Sequence, residues 1–108
     1  MVVKGDAEDA DSWANLGYCS AELGDYSGAV AAYRQAARLE PGDLSLWQSI
    51  AEVTEDAKDY GALLATRVKL AELQPGSTQA QIELADAYCL YGEFMRCEAV
   101  ARDLIART

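Results

Sequence analysis

Apolar side chains recur along this chain at steps of three and four residues, and the faces they form recur every 34 residues. Trp13, Leu16, Gly17 and Ser20 share one face at i, i+3, i+4 and i+7, the signature of an amphipathic helix. Trp47 lies 34 residues after Trp13, Ile50 and Leu84 follow Leu16 at the same step, and Ala51 and Ala85 follow Gly17. Tyr26, Tyr60 and Phe94 form another such series, as do Leu39 with Leu73 and Pro41 with Pro75. A fixed period of this length marks stacked repeats, in which each unit buries its apolar face only against a neighbour.

The pattern predicts six helices of roughly 14 residues joined by turns of two to four. The first begins near Ala10 and stops at Gly24, which is free to turn left-handed after a helix end. Asp25, Asp43 and Asp59 are placed to cap helices over about 26–40, 44–57 and 60–73, their carboxylates meeting unpaired backbone N–H groups. Pro41-Gly42 and Pro75-Gly76 break the chain. Ser77 or Thr78 starts a helix to about Tyr91, Gly92 ends it, and the last runs from about Phe94 to Arg107. The second helix is expected to bury Tyr26, Ala29, Val30, Tyr33, Ala36 and Ala37. No segment alternates with period two for long enough to be a strand. Residues 1 to 9 read as a tail, an expression remnant or the end of a preceding helix, and 10 to 108 as a single domain.

Composition narrows the function. The 108 residues carry a formal net charge of -9 with no histidine, which argues against a nucleic-acid partner and against anionic membranes. No apolar run approaches the length of a membrane-spanning helix, and the acidic start does not resemble a signal peptide. Cys19, Cys89 and Cys97 are odd in number and form no C-x-x-C pair; without histidine they make a poor zinc set. They are expected to be buried, reduced small hydrophobes, which suits the cytoplasm or another reducing compartment. No nucleophile motif, phosphate loop or H-E-x-x-H is present, so neither catalysis nor a metal or cofactor is expected. Glu52, Glu55 and Asp56 lie within about a turn, but a cation site needs ligands that converge.

The residues of the period resemble the tetratricopeptide repeat. The first unit carries Trp13, Leu16-Gly17, Gly24-Asp25-Tyr26, Ala29, Tyr33, Ala36, Leu39 and Pro41 in that family's order. The second keeps Trp47, Ile50-Ala51, Tyr60, Leu70, Leu73 and Pro75, and departs at Leu63 and Arg67. The third keeps Leu84-Ala85, Tyr88, Gly92 and Phe94, with Gln81 in place of the tryptophan and Cys97 and Ala101 in place of Ala and an aromatic. The resemblance implies an all-α fold: a right-handed superhelix of three antiparallel helix pairs, with repeats at about 10–43, 44–77 and 78–108. It names an architecture and not an activity. The run Asp59-Tyr60, Thr66-Arg67, Leu70, Leu73, Pro75 is in addition similar to a stretch of the large repeat subunit that anchors an N-terminal acetyltransferase to the ribosome.

In this family the first helix of each pair lines a concave groove. Here the three first helices carry acids but no lysine or arginine, whereas the second helices hold Arg34, Arg38, Arg67, Lys69, Arg96, Arg102 and Arg107. By resemblance the groove is formed by Asp11, Ala14, Tyr18, Ala21 and Glu22, then Ser45, Gln48, Glu52, Glu55 and Asp56, then Gln79, Ile82, Asp86, Leu90 and Tyr91. One reading is an adaptor site for a peptide or protein segment carrying Lys or Arg, with Tyr18, Leu90 and Tyr91 as anchors. The other is a solvated face that keeps the protein soluble. The lysine-lined clamp with which some repeat domains hold acidic chaperone tails is absent, because Ala14, Tyr18, Gln48, Glu52, Ile82 and Asp86 occupy its positions. Val100, Leu104 and Ile105 are expected to face a following unit, so the last helix meets a partner, a second copy, or the next repeat of a longer solenoid in a larger assembly.

Overall fold

The computed structural model describes residues 9–107, and these form six α-helices: α1 (Ala10–Glu22), α2 (Tyr26–Leu39), α3 (Leu44–Asp56), α4 (Tyr60–Leu73), α5 (Thr78–Tyr91) and α6 (Phe94–Arg107). Among the described residues there is no strand. The reading of residues 1 to 9 as a tail lies outside the described residues except at Asp9. That residue is the N-cap of α1, its carboxylate accepting from the Asp11 N–H at 3.0 Å.

The predicted caps are in place. Asp25 accepts from the Gly28 N–H at 2.9 Å, Asp43 from Ser45 at 3.0 Å and Asp59 from Ala62 at 3.2 Å. Of the two candidates at the start of α5 it is Ser77 that caps, accepting from the Ala80 N–H at 3.1 Å. Gly24 and Gly92 close α1 and α5 with φ of +80° and +91°. At each of these ends the N–H one residue further on reaches back into the last turn, Asp25 to Ser20 at 2.9 Å and Glu93 to Tyr88 at 2.8 Å, the pattern of a Schellman motif. The same position after α3 holds Lys58, a non-glycine residue at φ +59°.

The helices divide into two compact units, one with α1, α2 and α3 and the other with α4, α5 and α6. In the first unit, α1 packs on α2 and α2 on α3. Its core is Ala29, Tyr33, Ala36, Ala37, Leu46, Ile50 and Val53, with Trp13, Ala21, Val30 and Trp47 packed against it. Gly17 explains how close α1 and α2 come: a Cβ there would sit 2.9 Å from the Tyr33 ring. The Trp47 indole N–H donates to the Pro41 carbonyl at 2.9 Å, tying the tryptophan of one repeat to the proline that ends the repeat before it.

In the second unit, α5 packs on both α4 and α6. Leu63, Thr66, Leu70 and Ala71 of α4 and Ala80, Leu84, Ala85 and Ala87 of α5 are buried. Among the described residues the two buried threonine hydroxyls are satisfied by their own helices, Thr54 donating to Ile50 O at 2.9 Å and Thr66 to Ala62 O at 2.8 Å. Helix α6 buries no side chain fully, against five on α2.

Two expectations are corrected. The cysteines are not three buried thiols: Cys89 and Cys97 form a disulfide with Cα atoms 5.6 Å apart, and Cys19 is exposed. The α5–α6 turn brings Cys89 and Cys97 into one layer of the hairpin, which eight residues of sequence spacing do not advertise. Tyr26, expected inside, opens α2 at its first position and is 36% exposed.

Candidate functional site

Apart from Glu83, which is half-buried against Arg67, the acidic residues of the first helices are exposed. In the first unit Asp11, Tyr18 and Glu22 are exposed along α1, separated by seven and four residues and so within a narrow stripe. Gln48, Glu52, Glu55 and Asp56 are exposed along α3. The phenol of Tyr33 reaches between these two helices. Burial holds it above its ordinary value of 10.0; a hydrogen bond with Ser49 offsets part of this, while Glu52, Tyr18 and Cys19 push in the same direction as burial. Tyr33 is therefore the packed floor beneath residues that present an aromatic ring and carboxylates to solvent.

The charge of this unit is one-sided. Residues 9–58 hold nine Asp and Glu against three Lys and Arg, whereas residues 59–107 hold seven against five. The second unit also neutralises more of its own charge. Arg67 pairs with Glu83 at 3.2 Å between α4 and α5, and Arg96, Arg102 and Arg107 pair with Glu93, Glu98 and Asp103. Among the described residues, Asp11, Glu22, Glu52, Glu55 and Asp56 have no ion pair.

In the second unit Ile82, Asp86 and Leu90 are exposed at four-residue steps along α5. Tyr91 leaves this stripe. It is nine residues from Ile82, half a turn of the helix away, and its ring lies over Gly61 of α4, where an added Cβ would come within 3.3 Å of Cε1. Val100 and Leu104 of α6 are half-buried and Ile105 is 73% exposed.

A further feature was missed at the sequence level. A recess of about 290 Å³ opens between the start of α1 and the α2–α3 turn, lined by Asp9, Ala10, Asp11, Glu40, Asp43 and Leu46. Four of its six lining residues are carboxylates, brought from three segments that no local pattern joins. Asp9 and Asp43 are the caps of α1 and α3; Asp9 accepts from the Asp11 N–H on Oδ1 and from the Ser12 hydroxyl on Oδ2, whereas Asp43 takes both of its hydrogen bonds from Ser45 on Oδ1. Such a lining attracts an ammonium or guanidinium group and repels an anion. Among the described residues no three His, Cys, Asp or Glu side chains converge as a metal site, and no helix is long and apolar enough to cross a membrane.

Comparison with known proteins matches residues 10–43 to the tetratricopeptide repeat family. No curated protein matches the chain in sequence. Solved structures do match it in fold. The structure of Naa15/Naa10 bound to HypK-THB superposes with a TM-score of 0.87 at 22% identity, over 98% of this chain and 16% of that one. MamA protein gives 0.77 at 16% identity, over 96% of this chain and 57% of that one. The Arabidopsis OM64 TPR domain gives 0.68 at 13% identity, over 93% and 83%. The chain thus spans about a sixth of the first of these relatives and just over half of the second. Residues 10–43 thus match a tetratricopeptide repeat, and the chain shares the fold of tetratricopeptide repeat structures, its six helices fitting three such repeats.

Proposed function

We propose that this protein is a protein–protein interaction module and that the exposed face of α1 and α3 takes a basic segment of its partner. The observation that carries this reading is the one-signed face: Asp11, Glu22, Glu52, Glu55 and Asp56 are exposed on helices that hold no lysine or arginine. Tyr18, 60% exposed beside them, supplies an aromatic surface for an aliphatic stem or a cation. The recess at the α1 start extends the same preference to one inserted Lys or Arg side chain. On α5, Ile82, Asp86 and Leu90 offer a second, mixed apolar and acidic stripe. The protein acts as an adaptor or scaffold and performs no catalysis.

The test is a fluorescence titration of a labelled Lys/Arg-rich peptide and its Glu-substituted counterpart against the protein. The wild type should bind the basic peptide and weaken steeply as salt is raised, because exposed charges are screened over about 8 Å at physiological ionic strength. The variant Glu52→Gln, Glu55→Gln, Asp56→Asn should lose that binding with helicity unchanged. Equal affinity for both peptides, or equal binding by the variant, would sink the proposal. A second reading, a segment within a larger repeat assembly, rests on the small share of the Naa15/Naa10 chain that is covered and on the absence of a fully buried side chain on α6. In that case Val100, Leu104 and Ile105 meet the neighbouring element, and the isolated chain should self-associate in sedimentation.

A further inference from the structure

Cys89 and Cys97 are not among the residues proposed to bind a partner, yet the place of their disulfide in the repeat is specific. Two periods earlier the equivalent residues are Ala21 and Ala29, where Ala29 is fully buried in the core of the first unit and Ala21 packs against that core. One period before the cysteines the same positions are Glu55, which is exposed, and Leu63, which is buried. In the α5–α6 hairpin these positions are cysteines, joined by a covalent bond.

What that bond holds is a weakly embedded helix. The side chains of α6 nearest the repeat's inner positions, Val100, Ala101 and Leu104, are only half-buried, and none on the helix is fully buried. The ion pairs of Arg96, Arg102 and Arg107 join them to Glu93, Glu98 and Asp103, within α6 and the residue before it, so these pairs tie nothing to α5. Both bridged cysteines are themselves half-buried and within reach of a small thiol. We propose that the Cys89–Cys97 disulfide is a redox latch: it fastens α6 to α5, and a dithiol reductant releases α6 while the α1–α3 unit stays folded.

The chemistry balances with that one co-reactant. A thiolate of the dithiol attacks one sulfur of the bridge, the Cys89–Cys97 bond breaks and a mixed disulfide forms. The second thiol of the reductant then displaces the protein sulfur and the reductant leaves as its own disulfide. The two electrons and two protons it gives up end on Cys89 and Cys97 as thiols. Because the hairpin turn keeps the two cysteines near each other, an oxidised dithiol can close the latch again.

Hydrogen exchange read by mass spectrometry on the whole chain tests the latch, with and without dithiothreitol. On reduction the amides of residues 94–107 should exchange about tenfold to a hundredfold faster, the range expected for losing a short-loop cross-link, while those of residues 10–56 keep their rates. Iodoacetamide labelling of the unfolded chain should mark Cys19 alone before reduction and all three cysteines after it. The variant Cys89→Ala, Cys97→Leu places at the inner position the residue type that α4 buries as Leu63, and its exchange should ignore dithiothreitol. Unchanged exchange of residues 94–107 on reduction would overturn the latch. So would equal loss of protection in both units, three labelled cysteines in air-oxidised protein, or a response of the double variant to the reductant.

Discussion

The residue after α3 offers the cleanest quantitative test of how this chain is built. Gly24, Lys58 and Gly92 stand one period apart, and all three have positive φ, +80°, +59° and +91°. Each performs the same task, its N–H returning to the carbonyl three residues back: Ala21 at 3.0 Å, Glu55 at 2.9 Å and Cys89 at 3.1 Å. A Cβ built on Gly24 or Gly92 meets nothing within 4 Å, so a side chain here clashes with no neighbour and its effect is that of backbone conformation alone. A left-handed residue with a Cβ costs about 1–2 kcal/mol. Glycine avoids that but gives back about 0.5–1 kcal/mol through the greater freedom of the unfolded chain. Lys58→Gly should therefore stabilise the protein by about 0.5–1 kcal/mol, a rise of a few degrees in melting temperature. Gly92→Lys should destabilise it by a similar amount. Urea denaturation followed by circular dichroism measures both. If Lys58→Gly leaves the midpoint where it is or lowers it, the backbone at this position is not under the cost assigned to it, and the argument from repeat equivalence fails.

Three further outcomes follow from individual contacts. Gly17→Val forces side-chain atoms into the Tyr33 ring, 2.9 Å from where the Cβ must sit, and should cost about 1–3 kcal/mol in the same denaturation assay. Asp25→Ala removes the acceptor of the Gly28 N–H and should lower stability by about 1 kcal/mol, with Asp25→Asn recovering most of it. Tyr33 binds its proton more tightly in the folded protein than in the unfolded chain, so stability falls as pH rises above 10.0 and through the raised value. Tyr33→Phe should show less of that loss, read as a smaller shift in urea midpoint between about pH 9 and about pH 11.

Much of the fold could be read directly because its determinants are local. A cap needs a carboxylate or hydroxyl two or three residues before the N–H it accepts from, and Asp25, Asp43, Asp59 and Ser77 all act at that range. Helix starts and stops therefore agreed with expectation to within a residue or so, and the 34-residue phase assigned Gly17 the close approach to a neighbouring helix that the Tyr33 ring confirms. The exposure of Asp11, Glu22, Glu52, Glu55, Asp56 and Asp86 was legible for the same reason, since helical spacing sets the face. Tyr91 is grouped with the groove wall by resemblance, and what helical spacing from Ile82 does not give is the place of its ring over Gly61 of α4.

What the residue pattern determined by itself was the number of helices, their limits, their caps and the acid-only character of the first helix in each pair. These depend on backbone hydrogen bonds and side-chain periodicity that span a few residues. The tertiary structure alone decided which distant groups meet. It joined Cys89 to Cys97, ran the Tyr33 phenol to Ser49 beside Glu52, and gathered Asp9, Asp11, Glu40 and Asp43 around one recess. Such meetings depend on how helix packs on helix, and packing is set by the volumes filling the gap between them, such as the missing side chain of Gly17 under Tyr33.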